Sequence, residues 1–277
     1  LVMDIPGGAE PGWDVLLKIL QLQPLFEARP RQANEQNILR FLLCDKENPS
    51  SILFSIACIR ENVRTTRDQL PKEVWEYTNE LHIFANEYAE KSVRRRNRYA
   101  FLERIIADSQ QMNGLLLTTL NRDHAYRFIK IGRLLERADM TSRVIDVGAS
   151  VIRSSDKKYR GYEPILWTSL LNALSATSSY RDYIGPLVEA DSVVNFVFKE
   201  TANPRSCIFC LKKISQELYH LDHASPVLTL LEEAISTATE FQFKHGKPET
   251  LHQFVDKLQL QLATINDMID SVWFSHY

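Results

Sequence analysis

Gly132-Arg133-Leu134-Leu135-Glu136-Arg137-Ala138-Asp139-Met140-Thr141-Ser142-Arg143 reads as one continuous helix, yet no face of that helix is purely polar. At 100° per residue, Phe128, Ile131, Leu134, Leu135, Ala138 and Ile145 form an apolar face. Ile129, Arg133, Glu136, Met140, Arg143 and Val147 form a second, mixed face. A helix with apolar residues on both faces is central and has neighbours on most sides. The pattern therefore carries Glu136, Asp139 and Arg143 into or beside a packed core. Buried charge is costly unless paired, so the stretch predicts a fixed polar network or a binding site. The plainer alternative is an intrahelical ion pair of Glu136 with Arg133 or Arg143.

Around this helix the same period continues. It predicts helices over 12–23, 33–43, 49–69, 72–91, 97–121 and 123–153, then 163–183, 186–199, 204–221, 225–243 and 248–275. Start signals support several of them. Asn48 and Asn203 each precede a proline, which places a capping side chain before a proline at the first helical position. Asp123 can cap the long central helix, and Pro71 and Pro248 open two more. Asp4 to Gly12 and Ser154 to Gly161 read as loops. With nine glycines in 277 residues and no Asn-Gly-type hairpin turn, strand signals are weak throughout. The expected fold is all-α, a mainly antiparallel multi-helix bundle treated as one domain over 1–277.

The chain also repeats itself. At an offset of 155, Phe41, Asn48, Pro49, Ser51 and Ile59 fall on Phe196, Asn203, Pro204, Ser206 and Ile214. At 154, Trp13, Leu16 and Leu17 fall on Trp167, Leu170 and Leu171. Identities in one order at nearly one spacing predict two pseudo-symmetric halves, roughly 1–122 and 123–277. The counterpart of the Glu136 helix would then precede residue 1, and the expectation is that a first helix of that kind is missing from this sequence. It would pack beside the Glu136 helix across a pseudo-twofold axis.

Bulk properties exclude several classes. A net charge of −2 argues against a nucleic-acid footprint. No apolar run approaches the roughly 18 residues of a membrane span, and no basic-then-apolar leader opens the chain. Cys44, Cys58, Cys207 and Cys210 sit in apolar helical patterns, as in a reducing compartment. The expected location is cytoplasmic.

Four constellations could carry chemistry. Arg60, Arg64 and Arg67 recur at i, i+4 and i+7, so a helix puts them on one stripe able to grip carboxylate or phosphate; they could equally pair with Glu61 and Asp68 or face water. At the repeat offset Arg60, Glu61, Asn62 and Arg64 become Ser215, Gln216, Glu217 and Tyr219. A symmetric structural role would keep similar residues in both copies, so the asymmetry favours a functional surface. Cys207-x-x-Cys210 has the spacing of a redox or zinc pair but no second pair, and reads as core. Glu217-x-x-His220 and Glu249-x-x-His252 have the spacing of di-iron bundles, and such a site requires all four residues to converge. Arg94-Arg95-Arg96-x-Arg98 reads as a solvated helix junction. No phosphate-cradling glycine loop or nucleophile elbow appears.

Three groups of residues resemble the bacterial alpha-E domain family. They are Phe41-Leu42 through Asn48-Pro49-Ser50-Ser51-Ile52; Arg60-Glu61-Asn62-x-Arg64 with Glu73-x-Trp75-x-x-x-Asn79; and Gly132-Arg133-x-x-Glu136-Arg137-Ala138-Asp139-x-Thr141-x-Arg143-x-x-Asp146-Val147. Pro204-Arg205-Ser206 resembles a further family segment, and the likeness spans nearly the whole chain. It implies an all-α bacterial cytoplasmic protein. Its relatives are often encoded beside, or fused to, circularly permuted ATP-grasp ligases and transglutaminase-like proteins, which implies a part in making or modifying a peptide. Family members usually carry an earlier copy of the glutamate–arginine helix, and that copy does not appear here.

The leading expectation is a non-catalytic helper or binding module of such a system, with no cofactor, no bound metal, and no nucleic-acid or membrane partner. Arg60, Glu61, Asn62, Arg64, Arg133, Glu136, Arg137, Asp139 and Arg143 would line a polar cleft for a peptide, a carboxylate or the partner ligase or transglutaminase-like protein. The first alternative is an enzyme of amide or peptide chemistry with Glu136 or Glu61 as general acid/base, which predicts a solvent-reachable glutamate facing an arginine from another helix. The second is a ferritin-like metal-binding bundle.

Overall fold

The computed structural model describes residues 12–29, 32–154, 163–243 and 248–275. Among them are thirteen α-helices and no strand, so the fold is all-α. Contacts divide the chain into a first unit, Gly12–Tyr126, and a second that runs on from Arg127. The loops expected at Asp4–Gly12 and Ser154–Gly161 fall almost wholly outside the described residues.

The first unit holds α1 (Asp14–Ile19), α2 (Gln23–Glu27), α3 (Glu35–Leu43), α4 (Ile52–Thr65), α5 (Lys72–Ser92) and α6 (Arg95–Thr119). α5 packs between α4 and α6, and the two-residue connection from α5 to α6 forces those helices back along each other. Leu39, Leu43, Leu53, Ile56, Leu81, Ala85 and Phe101 fill this core. Leu17, Leu22, Phe26, Ile38 and Phe41 form a smaller cluster under α1 and α2.

α7 (His124–Ser154) leads from the first unit into the second. Its start is capped as the sequence predicts, with Tyr126 N–H donating to Asp123 Oδ1 at 3.2 Å. The second unit continues with α8 (Glu163–Ala173), α9 (Thr177–Tyr183), α10 (Ala190–Lys199), α11 (Cys207–Leu218), α12 (Ser225–Glu240) and α13 (Pro248–Trp273). α11 lies against α10 and α12, and α12 against α13, around buried Val197, Leu211, Ile214, Leu231 and Leu258.

Local geometry recurs at the offsets of the sequence repeat. Gln21 has φ 55° and Ser175 has φ 52°, each in the left-handed region just past a helix. The helix they end closes in the same way. Leu22 N–H reaches Leu17 O at 2.8 Å and Gln21 N–H reaches Lys18 O at 3.1 Å; Ala176 N–H reaches Leu171 O and Ser175 N–H reaches Asn172 O, both at 2.9 Å. This is the Schellman closure, which satisfies two terminal carbonyls. Phe26 meets Phe41 edge to face at 5.2 Å, and Tyr180 meets Phe196 edge to face at 5.3 Å.

Two expectations are corrected. The single helix expected over 163–183 is two, because Ser175 breaks it, and the one expected over 12–23 stops at Ile19. Asn48 and Asn203 are not caps. Each turns its Oδ1 back onto the second following N–H, Ser50 at 3.1 Å and Arg205 at 3.1 Å, which forms a local Asx turn. Asn48 also donates to Phe41 O from a fully buried position. The caps are Ser51 and Ser206, whose hydroxyls accept from Phe54 N–H and Phe209 N–H at 3.1 Å each.

Candidate functional site

In the first unit, α4, the turn after it and α5 bring Arg60, Arg67, Trp75 and Asn79 together. Arg60 Nε donates to Asn79 Oδ1 at 3.0 Å, and its guanidinium lies 5.2 Å from the centre of the Trp75 ring. Arg67 reaches the same indole at 4.9 Å. Neither arginine is paired with a carboxylate among the described residues. Cations stack on the negative face of an indole, so Trp75 gathers two guanidiniums that would otherwise repel each other. The charge of Arg60 is felt nearby. His82 is pushed below its usual range, first by burial and then by Arg60 and Lys46.

Arg64 does not join them. It forms a two-point contact with Glu61, Nε to Oε2 at 2.9 Å and Nη2 to Oε1 at 2.6 Å. The hydrogen bonds from Arg64 hold the Glu61 carboxyl below the usual range. The three-arginine stripe is therefore corrected: α4 ends at Thr65, so Arg67 lies beyond the helix, and Arg64 is taken by Glu61. Asn62 is exposed on the helix's last turns. A general acid needs a raised carboxyl pKa, and Glu61 has moved the other way.

In the second unit, α7 is a docking arm. Arg137 Nη1 donates to Pro204 O and Thr141 Oγ1 to Arg205 O, each at 3.1 Å, so the helix grips the turn that precedes α11. The Cys207 thiol points at Ala138 O at 3.6 Å. Nearly three turns further along α11, buried Glu217 receives Arg127 Nη1 at 2.9 Å and Lys130 Nζ at 2.6 Å. Asp146 accepts from His252 Nδ1 at 2.9 Å, which ties α7 to α13. The Arg205 guanidinium is held below its usual range by burial and by Arg137.

The remaining α7 candidates do not build one cleft. Arg143 Nε lies 2.9 Å from Asp139 Oδ2 as a half-buried charge pair whose N–H is not aimed along the contact. Arg133 is half-buried. Glu136, expected in or beside the core or else paired with Arg133 or Arg143, is exposed and engages no described side chain. Helical averaging put it on a face with apolar members, but that face turns outward at this position.

The metal reading is also corrected. Glu217 is occupied by two cations and His252 by Asp146, and among the described residues no three His, Cys, Asp or Glu side chains gather to hold an ion. Cys207 and Cys210 are core residues; burial pushes Cys210 to about 11 and Cys207 well above the ordinary thiol range. Such thiols stay protonated near neutral pH, which makes them poor nucleophiles. Sequence reasoning left Trp75, Asn79 and Glu217 out of the site. The first two were visible only as members of a motif, and the partners of Glu217 lie far away along the chain.

No described helix is long and apolar enough to cross a membrane. The Alpha-E family profile, described as a predicted alpha-helical domain with a conserved ER motif, matches residues 1–274, and the chain belongs to this family. Two Glu-Arg pairs occur in the sequence, Glu103-Arg104 and Glu136-Arg137; Arg104 pairs with Asp108 on its own helix, whereas Arg137 grips another helix's entry turn. No curated protein and no solved structure matches the chain.

Proposed function

We propose that this Alpha-E chain is a binding module whose α4–α5 face holds the carboxylate of a peptide, acting as a helper in a bacterial system that makes or modifies peptides. One observation carries the reading: Arg60 and Arg67 sit on Trp75 with no acidic partner among the described residues, while Glu61 is already consumed by Arg64. Two guanidiniums fixed on one ring offer a carboxylate several charge-assisted hydrogen bonds, each contributing about 1.5–3 kcal/mol. Asn79 fixes the orientation of Arg60 and so lowers the ordering cost of binding. The link to an ATP-grasp ligase or a transglutaminase-like protein rests on the family resemblance, not on these residues.

The test compares a short peptide bearing a free C-terminal carboxylate with its amide, titrated calorimetrically into the full chain. The carboxylate form should bind at least about tenfold more tightly, and Arg60→Gln or Arg67→Gln should remove that preference, since tenfold is 1.4 kcal/mol and one charge-assisted bond exceeds it. Equal binding of acid and amide, or no binding of either, overturns the assignment. Co-purification with a neighbouring ATP-grasp ligase, followed by ATP turnover with Glu136→Gln, tests the helper role.

A further inference from the structure

Charge around Trp75 is out of balance. Arg60 and Arg67 bring two guanidiniums to one indole, 5.2 and 4.9 Å from its centre, and Lys46 adds a third cation on the side of His82. The acids nearest them in the chain are engaged elsewhere. Glu61 is held by Arg64, Glu76 by Lys72 at 3.0 Å, and Asp68 accepts from Gln69 Nε2 at 3.5 Å. Glu73 is two residues from Trp75 and so on another side of α5. Glu80 lies toward α6, where its charge acts on Arg104. Among the described residues no carboxylate pairs with Arg60, Arg67 or Lys46.

Hydrogen-bond donors are in excess as well. A guanidinium carries five N–H groups, and a carboxylate offers about four lone-pair sites. Arg60 gives its Nε–H to Asn79 and keeps the rest, while no described hydrogen bond engages Arg67. A single carboxylate would therefore leave about half of these donors, and one of the two guanidinium charges, unmet.

Spacing selects what could meet both. Because each guanidinium lies so close to the same ring, their centres are at most about 10 Å apart. The two carboxyl carbons of a glutamate are four bonds apart, at most about 5 Å. A bidentate ion pair adds about 2.8 Å of N···O contact at each end. Each carboxylate can thus take its own guanidinium, and the methylenes between them lie against the half-buried indole.

We infer that the peptide held on this face ends in glutamate, and that Arg60 and Arg67 grip its α- and γ-carboxylates, one guanidinium to each. The inference rests on the carboxylate-binding reading of the α4–α5 face and narrows it from any peptide terminus to a dicarboxylate. Asn79, which fixes Arg60, sets where one of the two carboxylates is held.

The experiment titrates four peptides of one sequence into the full chain by calorimetry, ending in glutamate or glutamine, each as the free acid and as the C-terminal amide. The free-acid glutamate peptide should bind at least about tenfold more tightly than both its own amide and the free-acid glutamine peptide, since each comparison removes one charge-assisted contact. One guanidinium cannot serve two carboxylates, so the advantage of glutamate over glutamine should fall below about twofold in Arg60→Gln and in Arg67→Gln. Arg96→Gln, which removes an exposed arginine of α6, should leave that advantage intact. An equal loss in Arg96→Gln overturns the inference, because the overall charge of the chain would then set the preference. A preference for acid over amide with glutamate and glutamine bound alike also overturns it, and leaves the carboxylate reading standing. No acid preference with either residue removes both. A peptide amide ending in phosphoserine that binds more tightly than the free-acid glutamate peptide overturns the inference too, since a single dianion would then be the ligand.

Discussion

α4 and α11 begin alike and end in different company. Both follow an Asx turn on asparagine, both are capped by a serine hydroxyl, and in both the same serine also reaches back to the carbonyl six residues earlier, Asp45 or Glu200. These shared features are local, encoded within a few residues and satisfied by backbone. The differences lie a turn further on, where α11 meets α7 with cysteine and glutamate and buries Ile214, and α4 turns serine, isoleucine and asparagine outward. The two turns match because their buried backbone groups are satisfied the same way. The helices diverge on the faces whose neighbours differ. The polar set of Arg60, Trp75 and Asn79 lies on the first unit alone: at the repeat offset the corresponding positions of the second unit are Ser215, Leu230 and Ala234.

The largest expected effect separates the two isoleucines. Ile214→Ala should cost about 2–5 kcal/mol, as a large-to-small change in a filled core does. Ile59→Ala should cost under about 0.5 kcal/mol, since its side chain already meets water. Urea denaturation of both variants measures the contrast. Equal losses would break the comparison, because they would mean that the outer face of α4 is covered in solution. A smaller effect sharpens the part the copies share. Ser51→Ala and Ser206→Ala should each cost about 1 kcal/mol through loss of the cap. The two losses should agree within about 0.5 kcal/mol; a cap that matters in one copy alone would show that the matching hydrogen bonds are not equivalent energetically.

Much of the fold was legible because it is local. Period and capping placed α7 within a residue of its observed ends, and α5 and α3 nearly as closely. The breaks at Gln21 and Ser175 were hidden, since no glycine marks either left-handed residue. Asn48 and Asn203 misled for a related reason: an asparagine side chain can cap a helix or close a turn, and the choice depends on a serine three residues later. The candidate site was legible as residue types but not as contacts. Arg60 finds Asn79 nineteen residues away, and Glu217 finds Arg127 ninety residues away. Helical periodicity assigns a face but not the neighbour that covers it. That is why Glu136 was placed near the core and Glu217 was read for its spacing to His220 rather than for Arg127 and Lys130.

The smallest effect concerns the contact between α7 and α13, which has no counterpart in the first unit. At the same offset His252 becomes Asn97, whose amide donates to Lys91 O and does not titrate. His252 is raised above its ordinary value by the hydrogen bond to Asp146, so the folded chain holds that proton more tightly than the unfolded one. Its contribution is complete below the ordinary histidine value of about 6.5 and is lost as pH rises through the folded value. Asp146 is raised as well, mainly by burial, and its proton too favours the folded state at low pH, over a window that begins near the ordinary carboxyl range. Both terms therefore act in one direction, and only the histidine term operates near neutrality. Because the His252 side chain is 64% exposed, solvent screening limits the effect to roughly 0.2–0.5 kcal/mol. Subtracting the urea stability of His252→Ala from that of the parent chain should give a difference present near about pH 6 and absent above about pH 8. A difference that is flat across this range, or that grows with pH, would show that α7 is held on α13 without the charge pair, leaving its contacts with α11, the Glu217 ion pairs and the grip of Arg137 and Thr141 on the entry turn, as its polar anchors.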